Sequence, residues 1–334
     1  MAQSFPVHNS AIHCGALTDR VLPQYGLRPP IHCRVCNRGV NDTYRAKHKT
    51  GVRYLRVYRY GWRTKAQIEA ELDMLTYLHR HRLPVAHPVK RKDGRYLTRI
   101  AAPEGTRYAA VFTEAPGEWK RLGLKGSERY GELAARMHAC LDERPEDPRR
   151  FHLDRAHFID EPLRYVTPML AHRESDLDYL QKTGVDLWQR VDELLPERRK
   201  PEYGNCHGDH HGGNLHTDGS GLQTVFDFDC YGYGWRAYDM AVFHWSWRAW
   251  ATEKAQKSLG TRMWKAFVRG YGGVRSLGQN ELEATSVFVA LRHIWLMGLH
   301  AQLNELSGGW LHDGYFDEHL AIIRRWLDEH RVLK

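Results

Sequence analysis

The chain is poor in cysteine: six in 334 residues, at Cys14, Cys33, Cys36, Cys140, Cys206 and Cys230. Their wide spacing excludes a disulfide scaffold and suits a reducing compartment. Cys33-Arg34-Val35-Cys36 is a single C-x-x-C, and a structural zinc site needs two further ligands at matched spacing. His13, Cys14 and His32 could supply them, but small residues in a strand are the simpler account. No uninterrupted apolar run is long enough to span a bilayer. The start, Met-Ala-Gln-Ser-Phe-Pro, has no basic region leading into an apolar core, so no signal peptide is expected. A cytoplasmic protein without membrane contact is the expectation, as monomer or homodimer. No RRM, helix-turn-helix or zinc-finger pattern is present, so nucleic acid is not expected as a partner. Internal repeats and low-complexity linkers are also lacking. Basic residues do outnumber acidic ones, 49 Lys+Arg against 40 Asp+Glu, a net +9. That excess favours an anionic ligand, and a triphosphate would account for part of it. The length suffices for two lobes, each with its own core.

What is present is a set of oxygen-bearing side chains in a fixed order. Cys206-His207-Gly208-Asp209-His210-His211-Gly212-Gly213-Asn214-Leu215 is followed by Val225-Phe226-Asp227-Phe228-Asp229, with Asp227 inside an apolar, strand-like run. Phosphoryl transfer from a nucleotide needs one carboxylate to orient or accept the proton of an attacking hydroxyl. It also needs an amide oxygen and a second carboxylate to hold the magnesium ions that neutralise the triphosphate. A hard cation takes oxygen ligands, not Cys or His. Asp209 is therefore expected as the catalytic base, with Asn214 and Asp227 as Mg²⁺ ligands and ATP as cofactor. The spacing is close to the H-R-D-x-x-x-x-N and D-F-G pattern of protein kinases, with Gly208 in place of Arg and Asp227-Phe228-Asp229 in place of D-F-G. The alternative is a His- and Gly-rich turn before a buried strand with two chance acids. The complete constellation, in order, argues against it.

The surrounding pattern places these motifs. Residues 1–25 read as a short helix or irregular lead-in. Residues 31–60 read as three strands around the turns Asn37–Asp42 and Lys49–Gly51. Thr64 with Gln67 makes a capping box, and Ile68, Leu72, Leu75 and Leu78 recur at helical spacing over 65–81. Leu83–Val89 is extended, because Pro disfavours helix in the residue before it. Asp93-Gly94 is a turn, and Tyr108–Phe112 a buried strand. Beyond it the pattern turns helical, with helices expected near 130–138, 174–195, 237–250, 254–271, 279–305 and 315–331, interrupted by the Asp209 loop and a strand over Thr224–Phe228. The expected fold class is α+β: a small N-terminal β-sheet lobe with one helix over 1–115, a connector at 112–117, and a larger, mostly helical lobe over 118–334.

Arg56 occupies the strand position where kinases carry a Lys that grips the α/β-phosphates, and Glu71 the helix position of its partner acid. An Arg can bind phosphate bidentately but is a fork, not a point charge. A surface strand residue is the alternative reading of Arg56. Asn41 and Tyr44 lie where a loop would cover the phosphates, and a structural turn role fits them as well. His207 is expected to brace the loop; His210 and His211 read as loop residues that could also touch substrate. Asp239 is expected as a structural acid at a helix start, and Asp229 as a second acid near the metal or a turn-former. Tryptophans crowd the C-terminal part and should mostly be core. Around Ser307-Gly308-Gly309-Trp310, with Glu305, Asp313, Asp317 and Glu318, they could line an acidic aromatic cleft suited to an amine-bearing acceptor.

The pattern H-G-D-x-x-x-x-N then h-D-h-D resembles that of the aminoglycoside phosphotransferase and choline kinase family. Asn41–Tyr44, Leu55–Arg59, Gln67-Ile68 with Glu71, Leu83–Val89 and Gly131–His138 are similar to the stress response kinase A branch. The resemblance implies a protein-kinase-like fold and an adenine-binding hinge at Phe112–Ala115. It further implies ATP-dependent transfer to a hydroxyl of a small acceptor, expected to be an amine-containing metabolite or antibiotic. A protein Ser/Thr acceptor of the stress-kinase type is the second reading, although no A-P-E motif follows Asp227. A nucleotide-binding pseudokinase module is the third.

Overall fold

The structure, a computed structural model, describes residues 5–304 and 309–333. Glu305, Ser307 and Gly308 of the expected acceptor cleft lie outside the described residues. In chain order the elements are α1 (Cys14–Arg20), β1 (His32–Arg38), β2 (Asp42–His48), β3 (Gly51–Val57), α2 (Lys65–Arg80), β4 (Thr98–Ala102) and β5 (Gly105–Thr113). They continue with α3 (Leu124–Asp142), β6 (His152–Leu153), α4 (Glu161–Val166), α5 (Glu174–Leu194), β7 (Tyr203–Cys206), β8 (Leu215–Thr217), β9 (Gln223–Val225) and β10 (Gly232–Trp235). The helices α6 (Ala237–Arg248), α7 (Lys254–Gly272), α8 (Gln279–Gln302) and α9 (Asp313–His330) complete the order.

Two compact units emerge. The first runs to Glu118 and takes back Leu215–Asp229; the second is Trp119–Asn214 with Cys230 onward. The sequence put 215–229 with the helical part. Hydrogen bonds explain the difference: Ala86 donates to the Val225 carbonyl at 2.9 Å, Val225 to Pro84 at 2.9 Å, and Glu118 and Thr217 exchange two bonds. The β8–β9 hairpin is thereby tied to the extended Leu83–Val89 segment, and it carries Asp227 with it.

In the first unit an antiparallel sheet has the order β1-β2-β3-β5-β4. Leu17 and Leu22 pack with Tyr44, Leu55, Val57 and Val111 in one core. Because strand side chains alternate, Arg56, between Leu55 and Val57, points to the opposite face. The helix α2 starts at the expected capping box, Thr64 and Gln67 bonding each other's backbone N–H, and buries Ile68, Leu72, Leu75 and Leu78. Glu71 is buried on the same helix. Two expectations change here. The turn before β2 is short, so Asp42 and Tyr44 lie within the strand. Tyr44 is fully buried, its hydroxyl donating to the Ile12 carbonyl at 3.0 Å, and buried Asp42 pairs with Arg107 at 2.8 Å. Both are structural. The strand expected over Thr224–Phe228 ends at Val225, because Asp227 takes φ 67° and a 3₁₀ turn follows at Phe228–Cys230. Of the C-x-x-C pair, Cys33 is half-buried and Cys36 exposed, and among the described residues no group of His, Cys, Asp and Glu could hold a metal.

In the second unit the sheet has the order β6-β10-β7. Helices α3 and α7 pack backbone to backbone: a Cβ on Gly131 would lie 2.0 Å from the Phe267 carbonyl oxygen, and one on Gly270 1.8 Å from that of Glu128. Trp188, Trp235, Trp295 and Trp326 are core, as expected, while Trp250 and Trp310 are partly exposed. Among the described residues one helix, α8, is long and apolar enough by length and composition to cross a membrane, and 78% of that stretch is buried.

Candidate active site

In the first unit the site residues gather around one cation. Arg56 donates from Nη1 to Glu71 Oε1 at 2.9 Å and from Nη2 to Asp227 Oδ1 at 2.8 Å. Glu71 uses its other oxygen to accept from the Tyr58 hydroxyl at 3.1 Å. Burial disfavours a charge on Arg56, but Asp227 and Glu71 outweigh it and hold the guanidinium firmly protonated. The three side chains differ in exposure: Glu71 is 1% exposed, Arg56 12% and Asp227 43%. Glu71 therefore anchors the guanidinium, and Asp227 is its exchangeable partner. Asp229 accepts from the Trp62 indole at 2.7 Å and pairs with Arg63 at 3.5 Å. Phe112 lies in β5 with its ring centroid 5.4 Å from the Arg56 guanidinium carbon. The Ala115 carbonyl accepts from His216 Nδ1 at 3.1 Å. Asn41 does not join the cluster; its side-chain oxygen accepts from the Arg59 N–H at 3.0 Å.

In the second unit the loop after β7 is pinned from below. Buried Asp239, in the first turn of α6, accepts from the His207 N–H at 2.7 Å and the Gly208 N–H at 2.8 Å. His138 Nε2 lies 3.0 Å from the same carboxylate, and the Tyr271 hydroxyl 2.8 Å from His138 Nδ1. This fixes the neutral Nε2–H tautomer of His138, with Tyr271 donating to Nδ1. Burial alone would raise the Asp239 pKa; the hydrogen bond from His138 and the nearby imidazoles bring it to about 2. Asp239 is thus the expected structural acid. Gly208 is required twice over: its φ is +81°, and a Cβ there would lie 2.0 Å from the Cys230 carbonyl oxygen. That explains why the Arg of the protein-kinase pattern is replaced.

The loop then presents Asp209. Its Oδ2 accepts from the Asn214 amide nitrogen at 3.0 Å and lies 3.3 Å from His211 Nε2. His211 Nδ1 accepts from the Gly213 N–H at 3.0 Å, so the proton sits on Nε2. His207 braces the loop as expected, accepting from the Asp209 N–H at 3.1 Å. His210 is buried and stacks on Tyr130. The sequence reading missed Arg292, whose Nη2 donates to Asp209 Oδ1 at 2.5 Å. Arg292 is buried on α8, donates to the Tyr238 hydroxyl at 3.2 Å and lies against the rings of Trp295 and Trp245. Burial would raise the Asp209 pKa, but Arg292 and then His211 overcome it and hold the carboxyl well below the usual range. A signal existed: one Arg inside the apolar run Val287-Phe288-Val289-Ala290-Leu291-Arg292 needs a buried partner.

Each unit carries an oxygen donor of the kind a divalent cation takes. The Asn214 amide nitrogen is spent on the Asp209 carbonyl at 2.9 Å and carboxylate at 3.0 Å, which leaves its oxygen as the outward acceptor. Asp227 engages Arg56 through one oxygen and is 43% exposed. Both are hard oxygen donors. Two of the acids expected to flank an amine stand in exposed ion pairs: Asp313 with His172 at 2.8 Å, and Asp317 with Arg173.

The sequence model of the phosphotransferase enzyme family matches residues 32–277. The chain belongs to this family. A protein of Deinococcus radiodurans, itself uncharacterized, is 34% identical over 330 residues, covering 98% of this chain and 94% of its own. Amicoumacin kinase, solved with AMP-PNP, Ca²⁺ and its antibiotic, superposes with a TM-score of 0.72 at 23% identity, over 95% of this chain and 92% of its own. A microcompartment-associated aminopropanol kinase superposes with a TM-score of 0.76 at 22% identity, over 95% of this chain and 99% of its own. The fold is the α+β, protein-kinase-like one expected, with an N-terminal antiparallel sheet and a larger helical part.

Proposed function

We propose that this phosphotransferase moves the γ-phosphoryl group of ATP to a hydroxyl of a small-molecule acceptor, in the cytoplasm, where ATP is held. The observation that carries the reading is the ion pair of Arg56 on β3 with Glu71 on α2. A cation on that strand, fixed by an acid on that helix and next to the acid of the second motif, is the arrangement kinases use on a triphosphate. Arg56 keeps Glu71 with one arm of its fork and turns the other, now on Asp227, to the α/β-phosphates. Asn214 and Asp227 would hold Mg²⁺, which neutralises the charge of the β/γ-phosphates. Adenine would lie along Phe112–Ala115.

Asp209 receives the acceptor hydroxyl. Its depressed basicity makes it an orienting group first: it holds the hydroxyl oxygen in line, and takes the proton as the bond to the γ-phosphorus forms and the bond from that phosphorus to the bridging oxygen of the departing ADP breaks. Arg292, Asn214 and His211 keep the carboxylate fixed while this happens. The intact Asp209, Asn214 and Asp227 set argues against a pseudokinase. Asp313 and Asp317 are already paired, so an amine on the acceptor draws no support from those two acids.

The test uses γ-labelled ATP, Mg²⁺ and a cell extract, with Asp209→Asn protein as the blank. Label is counted separately in small molecules and in protein. Label in small molecules is the expected result. Label on protein would put a stress-type Ser/Thr kinase in its place, and none above the blank would favour a nucleotide-binding module.

A further inference from the structure

We infer that the acceptor is an anion, a hydroxyl compound bearing a carboxylate or phosphate beside an apolar or planar part, and that it is held in a cavity of the second unit next to His211. The inference rests on the phosphotransferase reading and narrows its acceptor class.

The cavity has a volume of about 320 Å³, within the range of small-metabolite pockets. Its wall includes Trp119, Lys120, Arg121, His211, Ser246 and Trp247, and none of its lining residues carries a carboxylate. His211 connects it to the chemistry, because the same imidazole reaches Asp209 Oδ2 at 3.3 Å. A ligand against His211 is therefore one side chain away from the carboxylate that orients the hydroxyl.

The charge of the wall is positive from several directions. Arg121 lies over the Trp247 ring, 5.1 Å from its centroid, and no carboxylate pairs with it among the described residues. A guanidinium resting on an indole keeps its donors for a ligand. Lys120 also lines the wall, but it has a partner of its own, and the positive charge offered to a ligand is that of Arg121. The wall runs through Leu122 into α3, whose first turn has no acid and whose N-cap, Gly123, offers no side chain, so the positive end of the helix dipole is uncompensated there. Beyond His211, Asp209 and Arg292 cancel in charge and leave the field of the wall to the groups above. Indole faces alone would suit an amine as readily as a planar anion. The Trp247 face is already occupied by Arg121, and a second cation brought to this wall would be repelled. An anion is attracted by every charged lining group. Ser246 supplies a neutral hydroxyl.

The test is steady-state turnover with ATP and Mg²⁺ against three acceptor classes at equal concentration: hydroxy acids, sugar phosphates and amino alcohols. Wild type is compared with Arg121→Glu and Arg121→Lys. The expected result is transfer to one anionic class, with the acceptor KM raised on the order of tenfold or more by Arg121→Glu, more than the ATP KM, and largely restored by Arg121→Lys. Which anionic class is used separates a carboxylate from a phosphate. A preference for amino alcohols overturns the inference. So does a charge reversal that raises the ATP KM and leaves the acceptor KM alone, since the anion held would then be the nucleotide's. ATP hydrolysis without acceptor, lost in Asp209→Asn, reports the phosphotransferase reading separately. If that hydrolysis is present but neither anionic class is used, the inference falls and the reading stands. If Asp209-dependent hydrolysis is itself absent, the reading falls and takes the inference with it.

Discussion

Two charge clusters, one in each unit, are built in opposite senses. Around Arg56 a cation is held by two acids, one of them buried Glu71 and the other, Asp227, 43% exposed. Around Asp209 an acid is held by a buried cation, and both carboxylate oxygens are engaged. The first cluster carries one more negative than positive charge, so a bare phosphate is repelled there and a phosphate accompanied by a divalent cation is not. Its outer partner can also be exchanged. The second cluster is neutral and has no exchangeable partner, so it fixes a geometry. Under the proposed function, rigid placement would serve the attacking hydroxyl and adaptable charge the polyphosphate.

The sharpest way to break this contrast is Asp209→Asn. It keeps the side-chain shape but removes the charge and turns one acceptor into a donor, and turnover should fall about a thousandfold while nucleotide affinity, measured by calorimetry, changes little. Unchanged turnover would remove Asp209 from the chemistry. Next in size, Asp227→Ala should abolish the dependence of ATP affinity on divalent metal. In the wild type, chelation by EDTA should weaken ATP binding by about tenfold or more. Equal affinity with and without metal in the wild type would contradict the net negative charge argued for the Arg56 cluster. Arg292→Gln probes the fixed cluster. Arg292 holds the Asp209 carboxyl low, so its loss raises that pKa and moves the acid limb of the kcat/KM profile to higher pH, with turnover lowered about ten- to a hundredfold. A lower rate with an unmoved limb would leave Arg292 a packing residue only.

The smallest effect concerns stability. Burial lowers the pKa of His138, His300, His319 and His330, all in the second unit, from 6.5 to about 4. The unfolded chain therefore takes up protons first as pH falls below about 6.5, and the folded form loses stability between there and about 4. Above 6.5 the contribution is complete. Scanning calorimetry from pH 7.5 to 5 should show Tm declining with acidity, and a flat Tm would refute the burial argument.

Much was legible in the chain because the signals are local. The Thr64–Gln67 box, the spacing of Ile68, Leu72, Leu75 and Leu78, and the alternation around Arg56 each describe residues that are neighbours in sequence. They gave the helix and the strand, while the expectation that Arg56 meets Glu71 fifteen residues away came from the kinase pattern. Tyr44 misled because a turn that covers a ligand and a turn that merely reverses a hairpin have the same composition. Tyr44 belongs to the core through Ile12, a contact that no local pattern announces.

The sequence by itself determined the order of the chemistry. Asp209, Asn214 and Asp227 follow one another at a spacing set by backbone geometry within short loops, and Gly208 is dictated by a left-handed turn. Only the tertiary structure decided which groups surround them. Arg292 reaches Asp209 across 83 positions, Asp239 reaches Gly208 across 31, and Arg56 meets Asp227 across 171. Such pairings depend on where whole helices and strands pack. Burial then makes each unpaired charge costly, so the partner is compulsory, but its position in the chain is free.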